Sequence, residues 1–301
     1  MEPTYGKIAS AKIHRKPNLG KIGKKALIVL GLAILCFIFL FPIVWMVDNS
    51  FKDGDTISAQ LGSIMTFLPP SFDISSWFVS YEKLFNSFDG FGRSILNSIN
   101  YCGVTILGVL LINSFAGYAL ARFKFPGNKL IRNLFTIATL IPGIASQVTV
   151  YQIMTALHLV NSLPGYIILM MGTDVITIYI FLQFFENLSS TLDESAILDG
   201  CTYFGVFFKI LLPLLKPAIV TSAILKGVST YNEYYMANLY LQDKTKYQVV
   251  ATSLYVFSGP MGNQYNYICA GVIITIIPAL IVFLLCQDQI YSGMAAGAVK
   301  G

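Results

Sequence analysis

Charged side chains are scarce in this sequence. They account for 12% of the 301 residues, whereas hydrophobic residues account for 55%. A soluble domain usually carries about 25% charged residues. Because so many apolar side chains do not fit into one water-soluble core of this size, a lipid bilayer must supply much of the solvent. The composition therefore predicts a membrane protein.

Residues and motifs that carry chemistry are scarce as well. His14 and His158 are the only histidines, and the sequence contains neither an HExxH nor a GxSxG motif. No GxxxxGK followed by Ser or Thr occurs, so the chain lacks a phosphate cradle of that kind. The cysteines show no CxxC spacing and are interpreted as small buried hydrophobes: Cys36, Cys102, Cys201, Cys269 and Cys286. We therefore expect no catalytic residue, no metal site and no cofactor in this chain.

Six apolar segments are long enough to cross a bilayer, for which about 20 residues are needed. They lie at residues 26–47, 94–120, 131–154, 163–184, 214–237 and 267–286. The first is too long for a signal peptide, so it is interpreted as a retained helix. Pro142 and Pro278 are expected to kink the third and the sixth segment. The sequence thus predicts an all-α polytopic membrane protein with six transmembrane helices.

Basic residues indicate how these helices are oriented. The first 25 residues contain seven Lys and Arg and one Glu, and the loop after the second segment is basic too. The positive-inside rule therefore predicts that both termini are cytoplasmic. The predicted parts are a basic tail at 1–25, a six-helix domain at 26–290 and a cytoplasmic tail at 291–301. Within the domain, the loop 186–216 is cytoplasmic and the loops 48–93 and 233–266 are external. The net charge of +5 is then a topology signal rather than a nucleic-acid footprint.

A charged, glycine-containing stretch precedes the fifth segment on the cytoplasmic side. Thr191 and Glu194 have the spacing of a capping box, so a short helix is expected to begin near residue 192. Gly200 suits the left-handed conformation that ends a helix, and a second short helix is expected at about 202–211. Pro213 and Pro217 fit the first turns of the fifth span. This pattern predicts a helix–turn–helix elbow, by which we mean residues 191–215.

The elbow has two interpretations, a lipid-bound amphipathic loop and a docking site for a cytoplasmic partner. Helices that bind headgroups are usually rich in Lys and Arg. In this stretch, Asp193, Glu194 and Asp199 come before any basic residue, which favours docking. The apolar residues expected at its surface are Ala196, Ile197, Cys201 and Phe204.

The pattern ESAILDGC at 194–201, with Ile-x-Leu-Pro at 210–213, resembles the EAA loop of ABC importer permeases. Ser195 and Cys201 stand where alanine is usual, and both are small enough for close packing. Other stretches resemble the carbohydrate branch, specifically the smaller permease of maltose-type importers. They are Asn97-Ser98, AGYALARFKFPG at 116–127, Tyr231-Asn232-Glu233, where Trp-Asn-Glu is usual, and GMAAGAVKG at 293–301. The likeness covers residues 96–301 in matching order.

The resemblance implies a type I ABC importer permease fold that forms half of a translocation pathway for sugars, with oligosaccharides expected. The implied partners are a second homologous permease, two ATPase subunits that bind ATP and Mg, and a secreted sugar-binding protein, in the cytoplasmic membrane of a bacterium or archaeon. In that family the EAA loop fits a cleft on the ATPase. The residues assigned to this coupling are Glu194, Ser195, Ala196, Asp199, Gly200, Phe204 and Pro213.

Asp174 and Lys226 lie deep inside the predicted spans, where charges usually face a cavity or a partner. Asp174 and Lys226 are each about ten residues, or roughly 15 Å at 1.5 Å per residue, from the inner ends of the fourth and fifth spans. Three alternatives stay open: an ion pair between them, a place on the sugar pathway, or contact with a partner chain. Asn113, Gln147 and Gln152 are further polar candidates, for which interhelical packing is favoured.

Tyr231, Asn232 and Glu233 are expected in the outer half of the fifth span. Aromatic faces with amide or carboxylate groups suit a sugar, whereas the alternative role is contact between helices. The loop 233–266 either reaches into the binding protein or is a solvated connector. The Gly- and Ala-rich tail either reaches between the ATPase subunits or is a flexible end.

Two other functions fit the sequence less well than an ABC permease. A membrane enzyme would need an acid–base set that the sequence does not offer. A secondary transporter or channel often carries paired discontinuous helices in repeats and needs no ATPase-docking elbow.

Overall fold

The computed structural model describes residues 19–60, 62–63, 67, 74–86, 90–259 and 262–298. Three long helices within these ranges are continuous: α1 (Leu19–Ser50), α5 (Phe91–Arg122) and α17 (Tyr265–Ala298). Each is apolar and long enough to cross a membrane. They correspond to the first, second and sixth predicted segments, and α17 continues through Pro278, where a kink was expected.

Three further spans are each made of two helices that meet at a bend. The pair α6 (Asn128–Leu140) and α7 (Gly143–Ala156) is bent by 102°, and α8 (Leu163–Met170) and α9 (Val175–Asn187) by 48°. The helical residues 203–214 meet α13 (Lys216–Tyr231) at 77°. If each pair counts as one span, the described chain has six spans by length and composition.

The bends correct three sequence-based expectations. Pro142 ends one helix and precedes the next rather than kinking a single helix, because it lacks an N–H and takes a non-helical ψ of 122°. The fourth segment is broken before Asp174, which the unbroken apolar run did not indicate. The fifth span ends at Tyr231 instead of residue 237.

Short elements connect the spans. Between α1 and α5 lie α2 (Gly54–Gln60), α3 (Ile74–Trp77) and α4 (Val79–Asn86). The elbow contains α10 (Thr191–Leu198), α11 (Tyr203–Gly205), a π-helical turn (Val206–Leu211) and α12 (Leu212–Leu214). Before α17 lie α14 (Tyr235–Tyr240), α15 (Lys244–Tyr247), α16 (Val250–Ser253), a 3₁₀ turn (Leu254–Phe257) and the antiparallel pair β1 (Ser258–Gly259) and β2 (Gly262–Asn263).

Helix α5 is at the centre of the packing. It lies against α9 and α13, and Gly117 allows the closest approach, since a Cβ there would lie 2.8 Å from the Cβ of Phe181. By contrast, α1 exposes most of its apolar side chains, including Leu27 and Phe39. An apolar surface of this size agrees with a helix that faces lipid.

The helices at the two ends of the described chain extend into the stretches predicted as tails. Helix α1 begins at Leu19, within the predicted basic tail, and α17 extends to Ala298, within the predicted C-terminal tail. Residues 1–18 and 299–301 lie outside the described residues.

Candidate functional site: the elbow and the intramembrane polar residues

The elbow is formed by two short helices joined at a glycine. Gly200 has φ of +85°, the left-handed conformation expected after a helix that ends at Leu198. Thr202 then begins the next helix, since its hydroxyl accepts a hydrogen bond from the Gly205 N–H at 3.2 Å. The predicted capping box is wrong in detail, because Thr191 is the first helical residue and its N–H donates to Ser189 Oγ.

One side of the elbow is anchored in a hydrophobic core. Val206, Phe207, Leu211 and Leu215 are fully buried. The ring of Phe207 stacks on Phe115 of α5, with ring centroids 4.4 Å apart. This packing holds the elbow firmly against α5 and α9.

The other side of the elbow is exposed and apolar. Leu198 is 88% and Phe204 69% exposed, and Ile197 is exposed next to them. Phe204 was predicted for coupling, and so were five further residues that lie at the surface: Glu194, Ser195, Asp199, Gly200 and Pro213. Ala196, expected at this surface, is instead buried in the core beneath it, because the helix turns its side chain towards Phe185 and Val206.

An ion pair ties the elbow to the end of α5. Arg122 Nε lies 2.8 Å from Asp193 Oδ2, and the two side chains are 11% and 13% exposed. Arg122 also donates to the Leu188 carbonyl at 3.1 Å. Burial raises the pKa of Asp193, and the Arg122 guanidinium opposes that shift without cancelling it.

Sequence reasoning did not identify the role of Arg122. The residue was counted as one of several basic residues in a cytoplasmic loop. No local pattern distinguishes Arg122 from its basic neighbours, because its partner Asp193 lies far along the sequence. Arg132 forms a similar, more exposed pair with Glu186 at 2.7 Å.

Asp174 and Lys226 form the ion pair that was one of three alternatives. The Lys226 Nζ lies 3.4 Å from Asp174 Oδ2. Asp174 occupies the break between α8 and α9, where its other carboxylate oxygen accepts the Thr177 N–H at 3.1 Å. Asn113 of α5, which is fully buried, accepts the Asp174 N–H at 3.4 Å. The three residues therefore connect α5, the break and α13 within the membrane.

The side chains of Tyr231, Asn232 and Glu233 all make hydrogen bonds within the protein. Tyr231 is the last residue of α13 and donates to the Thr275 carbonyl at 2.9 Å. Asn232 and Glu233 lie beyond the helix, which corrects their placement inside the fifth span. Glu233 Oε1 accepts the Met236 N–H at 3.0 Å. Gln147, another polar candidate, accepts from the Tyr240 hydroxyl at 3.4 Å, a contact between helices.

The segment after α13 is packed against the helices rather than solvated along its length. Tyr240, Leu241, Val249 and Val250 are buried. A plain solvated connector would not bury these side chains. Within the described residues, no group of three His, Cys, Asp or Glu side chains could hold a metal ion.

A helical protein with up to six membrane spans, an intramembrane ion pair and an elbow with an exposed apolar face at the start of the fifth span has the architecture of a transport permease. Residues 113–294 match the family described as "Binding-protein-dependent transport system inner membrane component". The chain belongs to this family, and it is a multi-pass membrane transport subunit of the ABC importer class rather than an enzyme.

Relatives with assigned names match nearly the whole chain. The arabinooligosaccharides transport system permease protein of Halalkalibacterium halodurans is 30% identical over 275 residues, which cover 91% of this chain and 96% of that protein. The trehalose/maltose transport system permease protein of Thermococcus litoralis is 30% identical over 281 residues, or 92% of this chain and 98% of that protein. These matches confirm the predicted resemblance to maltose-type permeases.

A solved structure shares the fold. A chain of a bacterial ABC transporter involved in the import of the acidic polysaccharide alginate superposes with a TM-score of 0.77 at 22% identity, covering 91% of this chain and 98% of that chain. The predicted all-α permease fold is thereby confirmed. The cytoplasmic location of the termini and the absence of a cofactor stay predictions.

Proposed function

We propose that this chain is one of two permease subunits of an ATP-driven importer for oligosaccharides and that its elbow is the docking site for the ATPase. The observation that carries the proposal is the elbow's construction. Its exposed apolar face, formed by Leu198, Phe204 and Ile197, stands on a fully buried base. A lipid-bound loop would gain nothing from a rigid base, whereas a joint that transmits force requires one.

The elbow would convert ATPase movement into helix movement. Phe207 and Leu211 bury the elbow against α5 and α9, and the Arg122–Asp193 ion pair fixes its first helix to α5. Two ATPase subunits that close on ATP would pull the elbows of the two permeases together. Because each elbow is packed against its helices, those helices would rotate with it and change access from the inner to the outer side.

The proposed arrangement places the elbow and both termini in the cytoplasm and the segment 233–266 outside, in the cytoplasmic membrane of a bacterium or archaeon. A second homologous permease would complete the pathway, and a secreted binding protein would dock outside. Two observations support this arrangement: the basic N-terminal residues of the sequence and the family's dependence on a binding protein.

Oligosaccharides are the proposed substrate class because relatives over nearly the full length are named for arabino-oligosaccharides, galacto-oligosaccharides and trehalose or maltose. Tyr231, Asn232, Glu233, Asp174 and Lys226 are the proposed pathway residues. Each of these residues also forms a hydrogen bond or an ion pair within the protein. We therefore propose that each contributes both to the sugar pathway and to the packing of the helices.

Copurification tests the docking proposal. The chain is expressed with the ATPase and permease genes that neighbour it on its genome, and the complex is isolated through a tag on this chain. We expect both partners to copurify and Phe204→Ser to release the ATPase. Tyr255→Ser is the matched control, because Tyr255 is an equally exposed aromatic residue (64%) on the predicted opposite side of the membrane.

Uptake into proteoliposomes tests the transport proposal. We expect uptake of labelled oligosaccharide only when the complex, its binding protein and ATP are all present. Solute movement by the purified chain alone would instead favour a secondary carrier.

A further inference from the structure

The outer end of α5 binds the main chain of the segment that follows α13. Asn97 Nδ2 donates to the carbonyls of Lys246 and Gln248, at 3.1 and 2.9 Å. One turn earlier, Arg93 donates to the Thr245 carbonyl at 2.8 Å. The next residue, Ser98, is buried and accepts a hydrogen bond from the Val250 N–H at 2.8 Å.

These contacts hold the segment by its backbone, since each involves a carbonyl or N–H of residues 245–250. The side chains of Gln248, Val249 and Val250 are buried as well and add to the attachment. Lys246 is exposed. We call residues 243–250 the outer segment.

The inner end of the same helix holds the elbow. Arg122, the last residue of α5, pairs with Asp193 and donates to the Leu188 carbonyl, as described above. Asn97 and Arg122 are 25 residues apart, which at 1.5 Å per residue is about 38 Å along the helix. One helix therefore carries attachments at both membrane faces.

The helix between these attachments is continuous. Of the three continuous spans in the described ranges, α5 alone contains no proline. The other three spans are broken near their middle or at one end. Proline and π-bulges are common causes of sharp bends, and α5 is a single α-helix from Phe91 to Arg122 without either.

We propose that α5 is a rigid strut that keeps the outer segment and the elbow at a fixed separation throughout the transport cycle, with Asn97 and Arg122 as the positioning residues at its ends. The inference rests on the proposed function only for the identity of what docks at each end. The transport cycle then moves both docking elements as one body, and the broken spans absorb the change in shape.

Pulsed electron paramagnetic resonance on the assembled complex tests this proposal. Spin labels are placed at Lys246→Cys in the outer segment and Ser190→Cys at the start of the elbow. The exposed Cys36 and half-buried Cys201 and Cys286 are first replaced by Ser. We expect the same mean distance without nucleotide and with ATP trapped by vanadate. A shift larger than one helical turn, about 5 Å, would overturn the proposal.

Two variants test the positioning residues. Asn97→Ala and Arg122→Ala are each expected to broaden the distance distribution between the labels, because one attachment is lost. Asn100→Ala is the matched control, since Asn100 is an exposed asparagine one turn along the same helix. Asn97→Gln, which keeps the amide donors, is expected to restore much of the narrow distribution. A distribution in Asn97→Ala as narrow as in the parent protein would contradict the assignment of Asn97.

The same samples separate this inference from the proposed function. If the ATPase copurifies and oligosaccharide uptake is normal while the distance changes on ATP trapping, the strut is wrong and the transport function stands. If no ATPase copurifies, the proposed function fails, and the distributions of the parent protein and Asn97→Ala still decide whether α5 holds the outer segment.

Discussion

Two of the ion pairs among the described residues are hidden to a similar degree but are built differently. Arg122–Asp193 joins the end of a helix to the elbow, with a separation of 2.8 Å. Lys226–Asp174 lies within the spans, at a helix break, with a separation of 3.4 Å. Burial disfavours the charged form of Asp193, whereas the Asp174 carboxylate also accepts a hydrogen bond from the Thr177 N–H. The Arg122–Asp193 pair therefore positions the elbow. In the Lys226–Asp174 pair, each charge inside the membrane provides the polar partner that water would provide outside it.

The largest effect is expected for the intramembrane pair. Lys226→Met leaves the Asp174 carboxylate without its partner, and removing one partner of a buried ion pair costs about 3–5 kcal/mol. We expect a marked loss of thermal stability of the complex in detergent. The double variant Lys226→Met/Asp174→Asn should regain most of that loss. If the double variant loses as much stability as the Lys226→Met and Asp174→Asn variants lose together, a pairing role is contradicted and a role in the sugar pathway is favoured.

A smaller loss is expected at the elbow pair. Arg122→Met leaves Asp193 and the Leu188 carbonyl without a donor, and an unsatisfied buried polar group costs about 1–3 kcal/mol. Because Arg122 positions the elbow, its loss should weaken the coupling between the ATPase and the permease. We therefore expect more ATP to be hydrolysed per oligosaccharide imported. The ratio of the two rates in proteoliposomes measures this coupling. Arg132→Met, which breaks the more exposed pair with Glu186, is the control and should leave the ratio near that of the parent protein.

Glycines in the elbow allow a matched comparison of conformation. Gly200 has φ of +85°, so Gly200→Ala forces a side chain into the left-handed region at a cost of roughly 1–2 kcal/mol. Gly205 has φ of −62° and room for a Cβ, so Gly205→Ala should be neutral or slightly stabilising. Chemical denaturation of the two variants gives the difference directly. Equal losses at both positions would show that the turn at Gly200 does not require its conformation.

The smallest effect concerns pH. The pKa of Asp193 is raised above 3.8 in the native state by burial, so the native state binds the proton more tightly than the unfolded state. The contribution of this group to stability therefore decreases as pH rises from about 4 through the native pKa. Asp193→Asn should flatten that part of the stability–pH curve while Arg122 still donates to Leu188. An unchanged slope in the variant would show that other groups are responsible.

Much of the fold follows from composition and charge, and the exceptions have physical causes. The six spans could be located because a run of about 20 apolar residues is typical of a helix that crosses a membrane. The equal depth of Asp174 and Lys226 made an ion pair one of three alternatives, and the structure contains that pair. The break at Asp174 was missed because the flanking residues are apolar on both sides, although Asp174 followed three residues later by Thr177 has the spacing of a helix N-cap.

The outline of the elbow could be predicted from the sequence, but the predicted capping box and the predicted exposure of Ala196 were wrong. Gly200 indicated the turn because few other residues adopt its conformation. The burial of Ala196 and the role of Arg122 depend on contacts between residues far apart in the sequence. No local pattern specifies which side of a short helix faces α5.

The accessibility of one elbow residue tests the account most directly. Leu198→Cys, in the background used for spin labelling, is treated with a membrane-impermeant thiol reagent in right-side-out and inside-out vesicles. We expect labelling from the cytoplasmic side alone, and protection when the ATPase is bound. Labelling from the outside, or labelling that is unchanged by the ATPase, would contradict the elbow as the coupling joint.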